Sequence, residues 1–160
     1  MKIVSACLCG INCKYNGGNN LNPYFLDLLA KGEVIPICPE QMGGLPTPRD
    51  ACELAGGTGM DLIEGRAMAF TRDGDEVSSA LLRGAQETLR IALEGCVDEA
   101  ILQSRSPSCG VGLIYDGTFA HRLIRGDGVT AAMLKQHGIQ VWNEQNYLRE
   151  KGVCTSIESS

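Results

Sequence analysis

The sequence predicts an α/β fold, a Rossmann-like three-layer arrangement on a short, mainly parallel sheet with a hairpin and loop insertion. Two observations predict it, and a third gives it a consequence for function. Short β-rich runs alternate with capped or amphipathic helical segments. The connections between those runs are long enough for parallel crossovers. Three of the runs also lead into cysteine, at Cys7, Cys38 and Cys109. An open parallel sheet binds ligands at the carboxyl ends of its strands, so this topology gathers the three cysteines on one edge.

The elements follow in order. Lys2-Ile3-Val4-Ser5 is the first strand, and a polar, glycine-rich stretch from Cys9 to Asn20 comes after it. Asn22-Pro23 supplies a cap and a first-turn proline, so a helix is expected from Tyr24 to Lys31, stopped by Gly32. Val34 to Ile37 reads as a second strand ending at Cys38, with Pro36 arguing against a regular central ladder. From Gly43 to Asp75, repeated Gly, Pro and Asp-Gly signals mark the insertion, with strand-like runs at Asp61–Ile63 and Ala67–Thr71. Val77 to Glu94 places Val77, Ala80, Leu81, Ala85, Leu89, Ala92 and Leu93 on one stripe, an amphipathic helix closed by Gly95. Glu99 to Leu102 is a third strand, and Ile114 to Phe119 signals a hairpin around Asp116-Gly117. Thr130 to His137 reads as a helix and Ile139 to Trp142 as the last strand. Residues 1–152 are expected to form one domain and 153–160 a polar, frayed tail.

Composition narrows the function. A chain of 160 residues is about one domain, and 44% apolar with 21% charged residues is ordinary for a globular protein rather than a disordered one. No apolar run approaches the roughly 18 residues needed to span a bilayer. The opening MKIVSACLCG lacks a secretory core, so a cytoplasmic location and no membrane partner are expected. With 14 basic against 19 acidic residues the formal charge is −5, which disfavours nucleic acid as the main partner. Aromatics, at 5%, suggest no stacking platform for bases.

Eight cysteines are the outlier. In a reducing compartment, clustered cysteines more often bind metal or do redox chemistry than form disulfides. Thiolates gathered on one edge need positive compensation, which a soft metal or an iron–sulfur cluster supplies. If a four-iron cluster is bound, ligation by Cys7, Cys38 and Cys109 leaves one iron open as a Lewis acid. The alternative is that these thiols pack as small hydrophobes. Cys9 makes a C-x-C spacing with Cys7 and a C-x3-C spacing with Cys13, which equally suit a local zinc or disulfide site. Cys52 and Cys96 read as packing residues, Cys154 as a bystander in the tail, and His121 and His137 as structural or surface residues.

Groups able to move protons flank the trio. Cys38-Pro39-Glu40 fixes a carboxyl two residues beyond a candidate ligand, either as a general acid/base or as a loop carboxylate bonded locally. Ser106-Pro107-Ser108-Cys109-Gly110 sets two hydroxyls and several amides beside the third cysteine, to bond cluster sulfurs or an anionic intermediate, or simply to cap a turn. Gly17-Gly18 and Gly43-Gly44 allow close backbone approach to a ligand, and Ser108 and Gly44 are the candidate substrate contacts. No nucleotide-phosphate fingerprint is present. Arg49 can reach an anionic group, although an exposed loop arginine usually does nothing so specific.

Four segments resemble a known family: Ser5-Ala6-Cys7-Leu8, Lys14-Tyr15-Asn16-Gly17, Cys38-Pro39-Glu40 with Gly43 to Arg49, and Ser104 to Gly110. They are similar, in order and rough spacing to about Gly152, to the small bacterial DUF523-type proteins of the thiouracil desulfurase family. The resemblance implies a 4Fe-4S cluster held by three cysteines, which map onto Cys7, Cys38 and Cys109. It implies non-redox, hydrolytic desulfuration of a thiolated pyrimidine, giving uracil and hydrogen sulfide from 2-thiouracil. In that picture an open iron polarises the C–S bond, Glu40 activates water, and Ser106 hydrogen-bonds or protonates the pyrimidine. Cys9 and Cys13 are not needed by the pattern. Two other functions compete: a non-catalytic sulfur or cluster carrier, needing the cysteines but not Glu40, and a small protein with a structural zinc site.

Overall fold

The computed structural model describes residues 1–153. In chain order its elements are β1 (Lys2–Ser5), α1 (Pro23–Ala30), β2 (Val34–Ile37), α2 (Pro39–Met42), β3 (Cys52–Ala55), α3 (Gly59–Ile63) and β4 (Met68–Thr71). There follow α4 (Ser78–Glu94), β5 (Glu99–Leu102), β6 (Leu113–Tyr115), β7 (Leu123–Arg125), α5 (Val129–Gln136), β8 (Gln140–Asn143) and α6 (Glu144–Glu150). β2, β1, β5 and β8 lie side by side in that order and are all parallel. β3 pairs antiparallel with β4, and β6 with β7.

The period-two alternation of the strands divides the core into layers. Val4 and its register partner Ile101 face Phe25 of α1 and Tyr147 and Leu148 of α6. Ile3, Ala100 and Leu102 face the other way, onto Ala92 of α4 and Ala131 and Leu134 of α5. A third cluster joins Leu54 and Ala69 of the insertion to Leu81 and Ala85 of α4 and Val129 and Met133 of α5. Helices therefore cover both sheet faces, the three-layer arrangement expected. No helix among the described residues is long and apolar enough to cross a membrane.

Local chemistry explains most boundaries. The Asn22 side chain accepts the Tyr24 N–H at 2.9 Å and Pro23 opens α1. Pro36 is tolerated because β2 is an edge strand that pairs only with β1. Along α4, Leu81, Gly84, Ala85, Thr88 and Ala92 are buried, whereas Leu93, expected on the stripe, is 55% exposed.

Two expectations are corrected, and two elements not expected from the sequence are added. Asp61–Ile63 is helical rather than strand-like, because Asp61 accepts the Thr58 N–H at 2.9 Å and so closes the start of α3. The strand opposite β4 is β3, which the Gly- and Pro-rich punctuation around it concealed. Asp116-Gly117 is not a tight two-residue turn; it opens the longer 116–122 connection between β6 and β7. Helix α6 follows the last strand directly, with Asn143 accepting the Asn146 N–H at 2.8 Å as its cap. Of the expected tail, Val153 packs on the α1/α6 cluster, and Cys154 lies outside the described residues.

One close approach sets the position of α2. A Cβ on Gly84 would overlap the Pro39 carbonyl oxygen, and a Cβ on Gly43 the Ala80 carbonyl oxygen, so α2 rests directly on the backbone of α4. Gly84→Ala is expected to destabilise the protein by ~1–3 kcal/mol, lowering the thermal midpoint by roughly 2–4 °C for each kcal/mol. Gln86→Ala, on the exposed face of the same helix, should leave the midpoint unchanged in the same calorimetric scan.

Candidate active site

Because β2, β1 and β5 are adjacent and parallel, their carboxyl ends open on one edge of the sheet. β1 passes into a 3-10 turn, Ala6–Cys9, that buries Cys7. β2 passes into Cys38, the residue before α2, with Pro39 at the first helical position and Glu40 next. β5 passes into the loop that carries Ser106 and Cys109. Cys7, Cys38, Cys109, Glu40 and Ser106 line one cavity of about 510 Å³. The edge expected from the sequence is therefore present, with the acid/base candidate on it.

Two further thiols share the cavity. Cys13 lines it, and the Cys38 thiol donates to the Cys13 carbonyl at 3.7 Å. Cys52 lines it too, while packing against the third core cluster as its reading as a packing residue expects. Cys9 takes the opposite course: its thiol donates to the Phe25 carbonyl at 3.7 Å within the α1/α6 core. The paired spacing of Cys9 and Cys13 thus resolves into one core residue and one cavity residue. Cys96 is exposed after α4.

Burial and neighbouring groups push the Cys38, Cys109, Cys13 and Cys52 thiols toward the protonated form. The hydrogen bond with Cys13, burial and the charge of Glu40 together push the Cys38 thiol up. Burial and the Glu40 charge do the same to Cys109. Cys13 is pushed up to about 11: its bond with Cys38 lowers it, and its bond with Cys7, burial and nearby charge more than reverse that. Burial pushes Cys52 up to about 12. Thiolates here require a cationic centre to balance them, and a soft one is favoured by an all-sulfur set. Among the described residues, no three His, Cys, Asp or Glu side chains meet closely enough to hold a single metal ion. The thiols instead line one cavity, with Cys7, Cys38 and Cys109 delivered from the ends of three different strands. That donor set fits a polynuclear iron–sulfur group in which separate irons take separate cysteines.

Arg49 ties the site together. Only 7% of its side chain is exposed, which corrects its reading as a solvent-facing loop residue. Its Nη2 donates to the Cys13 carbonyl at 2.9 Å and to Glu40 Oε2 at 3.4 Å, while Nη1 donates to the Pro46 carbonyl at 3.1 Å and Thr47 Oγ1 at 3.0 Å. One planar guanidinium thereby fixes the Cys13 loop, the carboxylate and its own loop at once. Asn20 and Gln103, overlooked in the sequence because neither stands in a cysteine motif, flank Cys7. The Asn20 amide donates to Gln103 Oε1 at 2.9 Å and approaches the Cys7 sulfur at 3.9 Å.

Ser106 both caps a turn and faces the cavity. Its Oγ accepts the backbone N–H groups of Ser108 and Cys109, each at 3.0 Å. Its lone pairs engaged, the hydroxyl is left to act as a donor. The Ser108 and Pro107 carbonyls accept the first amides of α5, Thr130 N–H at 2.9 Å and Val129 N–H at 2.8 Å, which seats this loop on the helix. Ser108 and Gly44, expected at the substrate, do not line the cavity. The Ser108 side chain is wholly buried beneath the loop, and Gly44 lies at the turn after α2.

Removing the guanidinium strands a largely buried carboxylate. Arg49→Ala is expected to destabilise the fold by about 3 kcal/mol in urea unfolding. Arg49→Lys should recover less than half of that, since an ammonium cannot reproduce the fork across the Cys13, Glu40 and Pro46 oxygens.

Comparison with known proteins follows the same lines. The 2-thiouracil desulfurase family matches residues 3–146. The chain is 44% identical over 144 residues to the uncharacterized protein YbbK of Bacillus subtilis (strain 168), across 90% of this chain and 95% of YbbK. The solved structure of the [4Fe-4S]-dependent thiouracil desulfidase TudS superposes with a TM-score of 0.79 at 36% identity, covering 94% of this chain and 97% of that one. The four sequence segments, the parallel sheet with its cysteine-lined edge and these matches agree: the chain belongs to the 2-thiouracil desulfurase family.

Proposed function

We propose that this protein is an iron–sulfur-dependent desulfurase that removes sulfur from a thiolated pyrimidine such as 2-thiouracil, giving uracil and hydrogen sulfide without net oxidation or reduction. The observation that carries the reading is the convergence of Cys7, Cys38, Cys109, Glu40 and Ser106 on one cavity at the strand ends. Cys7, Cys38 and Cys109 are the residues that would hold a 4Fe-4S cluster. When bound, the cluster supplies a Lewis-acidic iron toward the substrate sulfur.

The chain's own groups do the rest. Arg49 engages Glu40 Oε2, which leaves Oε1 to take a proton from water as the water oxygen bonds to the thiocarbonyl carbon. Ser106 Oγ donates a hydrogen bond to the pyrimidine and steadies charge on the ring as the tetrahedral carbon forms. The C–S bond then breaks, sulfur leaves as hydrosulfide, and the proton held on Glu40 returns to the products. One water is consumed for each sulfide released. A carrier of sulfur or clusters would need the thiols alone and gives no role to a carboxylate pinned by a buried arginine. The seven described cysteines are all free thiols, which suits a reducing, cytoplasmic setting, and the net charge of −5 favours a small free thiopyrimidine over nucleic acid.

Glu40→Gln, reconstituted anaerobically, is expected to keep its iron and acid-labile sulfide while turnover of 2-thiouracil falls by roughly 10²–10⁴-fold. Serine at Cys7, Cys38 or Cys109 should instead lower iron content and visible absorption together with turnover. Intact turnover in Glu40→Gln at saturating substrate would remove the acid/base assignment.

A further inference from the structure

The cavity has a second wall, opposite in character to the thiols, made by the 116–122 connection between β6 and β7. Tyr115, Phe119 and His121 all line the cavity. Phe119 and His121 have positive φ, 57° and 59°, and Arg105, which also lines the cavity, has φ 70°. These are three of the four non-glycine residues with positive φ among the described residues. A bulky side chain in that region is strained and persists only where its surroundings fix it.

The fixing group is Glu53. It lies on β3 beneath the loop, is 9% exposed, and its Oε1 accepts both the Gly117 N–H at 3.0 Å and the Phe119 N–H at 3.1 Å. Gly117 presses onto that strand: a Cβ there would stand 2.5 Å from the Leu54 carbonyl oxygen. Arg72 covers the Phe119 ring, its guanidinium carbon 5.5 Å from the centroid, and the rings of Tyr115 and His121 meet edge to face at 6.0 Å. A held aromatic side chain thus lines the same cavity as Glu40 and Ser106.

We propose that Phe119 binds the substrate through the face of its ring and that Glu53 is the residue that positions it, so that the site selects flat, unsaturated heterocyclic thiones over saturated or open-chain ones. The inference rests on the desulfurase reading for the identity of the reaction but not for the ring contact itself. An aromatic side chain against a heterocyclic base is worth roughly 1–3 kcal/mol, a factor of about 5–150 in affinity. A single ring supplies this despite the low aromatic content of the chain, because the tether removes the entropy of placing it.

The test uses the reconstituted holoenzyme, with uracil binding by calorimetry and turnover of 2-thiouracil and its non-aromatic 5,6-dihydro analogue. Phe119→Ala is expected to weaken uracil binding by about 5–150-fold and raise KM for 2-thiouracil, with a smaller effect on kcat and on the dihydro compound. Phe119→Trp should retain affinity. Glu53→Ala should reproduce the Phe119→Ala pattern at unchanged iron content, and Glu53→Gln, which keeps an acceptor oxygen, should restore it. If uracil binding and the preference for the aromatic ring survive Phe119→Ala, the inference is wrong while the desulfurase reading stands. If the unaltered holoenzyme fails to turn over 2-thiouracil, the desulfurase reading falls, and weaker uracil binding in Phe119→Ala would still support the ring contact. Failure of the unaltered holoenzyme to bind uracil while it turns over 2-thiouracil would overturn the ring contact alone.

Discussion

Three parallel strands lying side by side, β2, β1 and β5, are the constraint on which the site depends. Parallel neighbours end on the same edge, so the residues that follow each strand are forced into one crevice whatever their separation in sequence. The registers Ser5↔Ile37 and Val4↔Ile101 bring the ends of the three strands nearly level. Cys7, Cys38 and Cys109 follow those ends within a few residues, except that Cys109 is delivered by a longer loop. That loop is made stiff by Ser106, which accepts two of its amides, and by α5, whose first N–H groups bond its carbonyls.

Burial and neighbouring charge raise the proton affinity of Cys38 and Cys109, and the surroundings are fixed by hydrogen-bonded backbone and the buried Arg49 guanidinium. Arg49 does not neutralise the thiols; it holds the Cys13 carbonyl and the Glu40 carboxylate in one geometry. On the far side, the glycine contact of α4 with α2 prevents the Cys38-Pro39-Glu40 segment from receding. The carboxylate is therefore located from both directions, by a hydrogen-bonded fork and by backbone packing. Such rigidity is what a proton-transfer group requires if it is to act on a substrate held at a separate centre.

Much of this was legible in the sequence. The short β-rich runs of Lys2–Ser5 and Glu99–Leu102, the Asn22-Pro23 cap and the long apolar stripe of α4 each reflect local rules, and each element formed where those rules place it. The cysteine edge followed from topology, because strand-to-cysteine junctions survive any uncertainty in the crossovers. What could not be read locally were the features set by tertiary contact. β3 depends on pairing with β4, and its flanking Gly and Pro residues conceal it. Asp61–Ile63 has a strand-like composition but a capped helical start. Arg49 looked like a surface residue because its acceptors, the carbonyls of Cys13 and Pro46, are main-chain groups that no side-chain pattern reveals. Ser108 and Gly44 were placed at the substrate from adjacency in sequence, whereas the turn at Ser106 rotates Ser108 into the interior and Gly44 falls beyond α2.

The most direct test of the central claim is anaerobic reconstitution with iron and sulfide, followed on the same sample by iron and acid-labile sulfide analysis and a 2-thiouracil assay for uracil and sulfide. The convergence of three strand-end cysteines with a pinned carboxylate predicts four irons and four acid-labile sulfides per chain, and equal amounts of uracil and sulfide with no added reductant. A protein that takes up no cluster, or that carries one and releases no sulfide from 2-thiouracil, would contradict it.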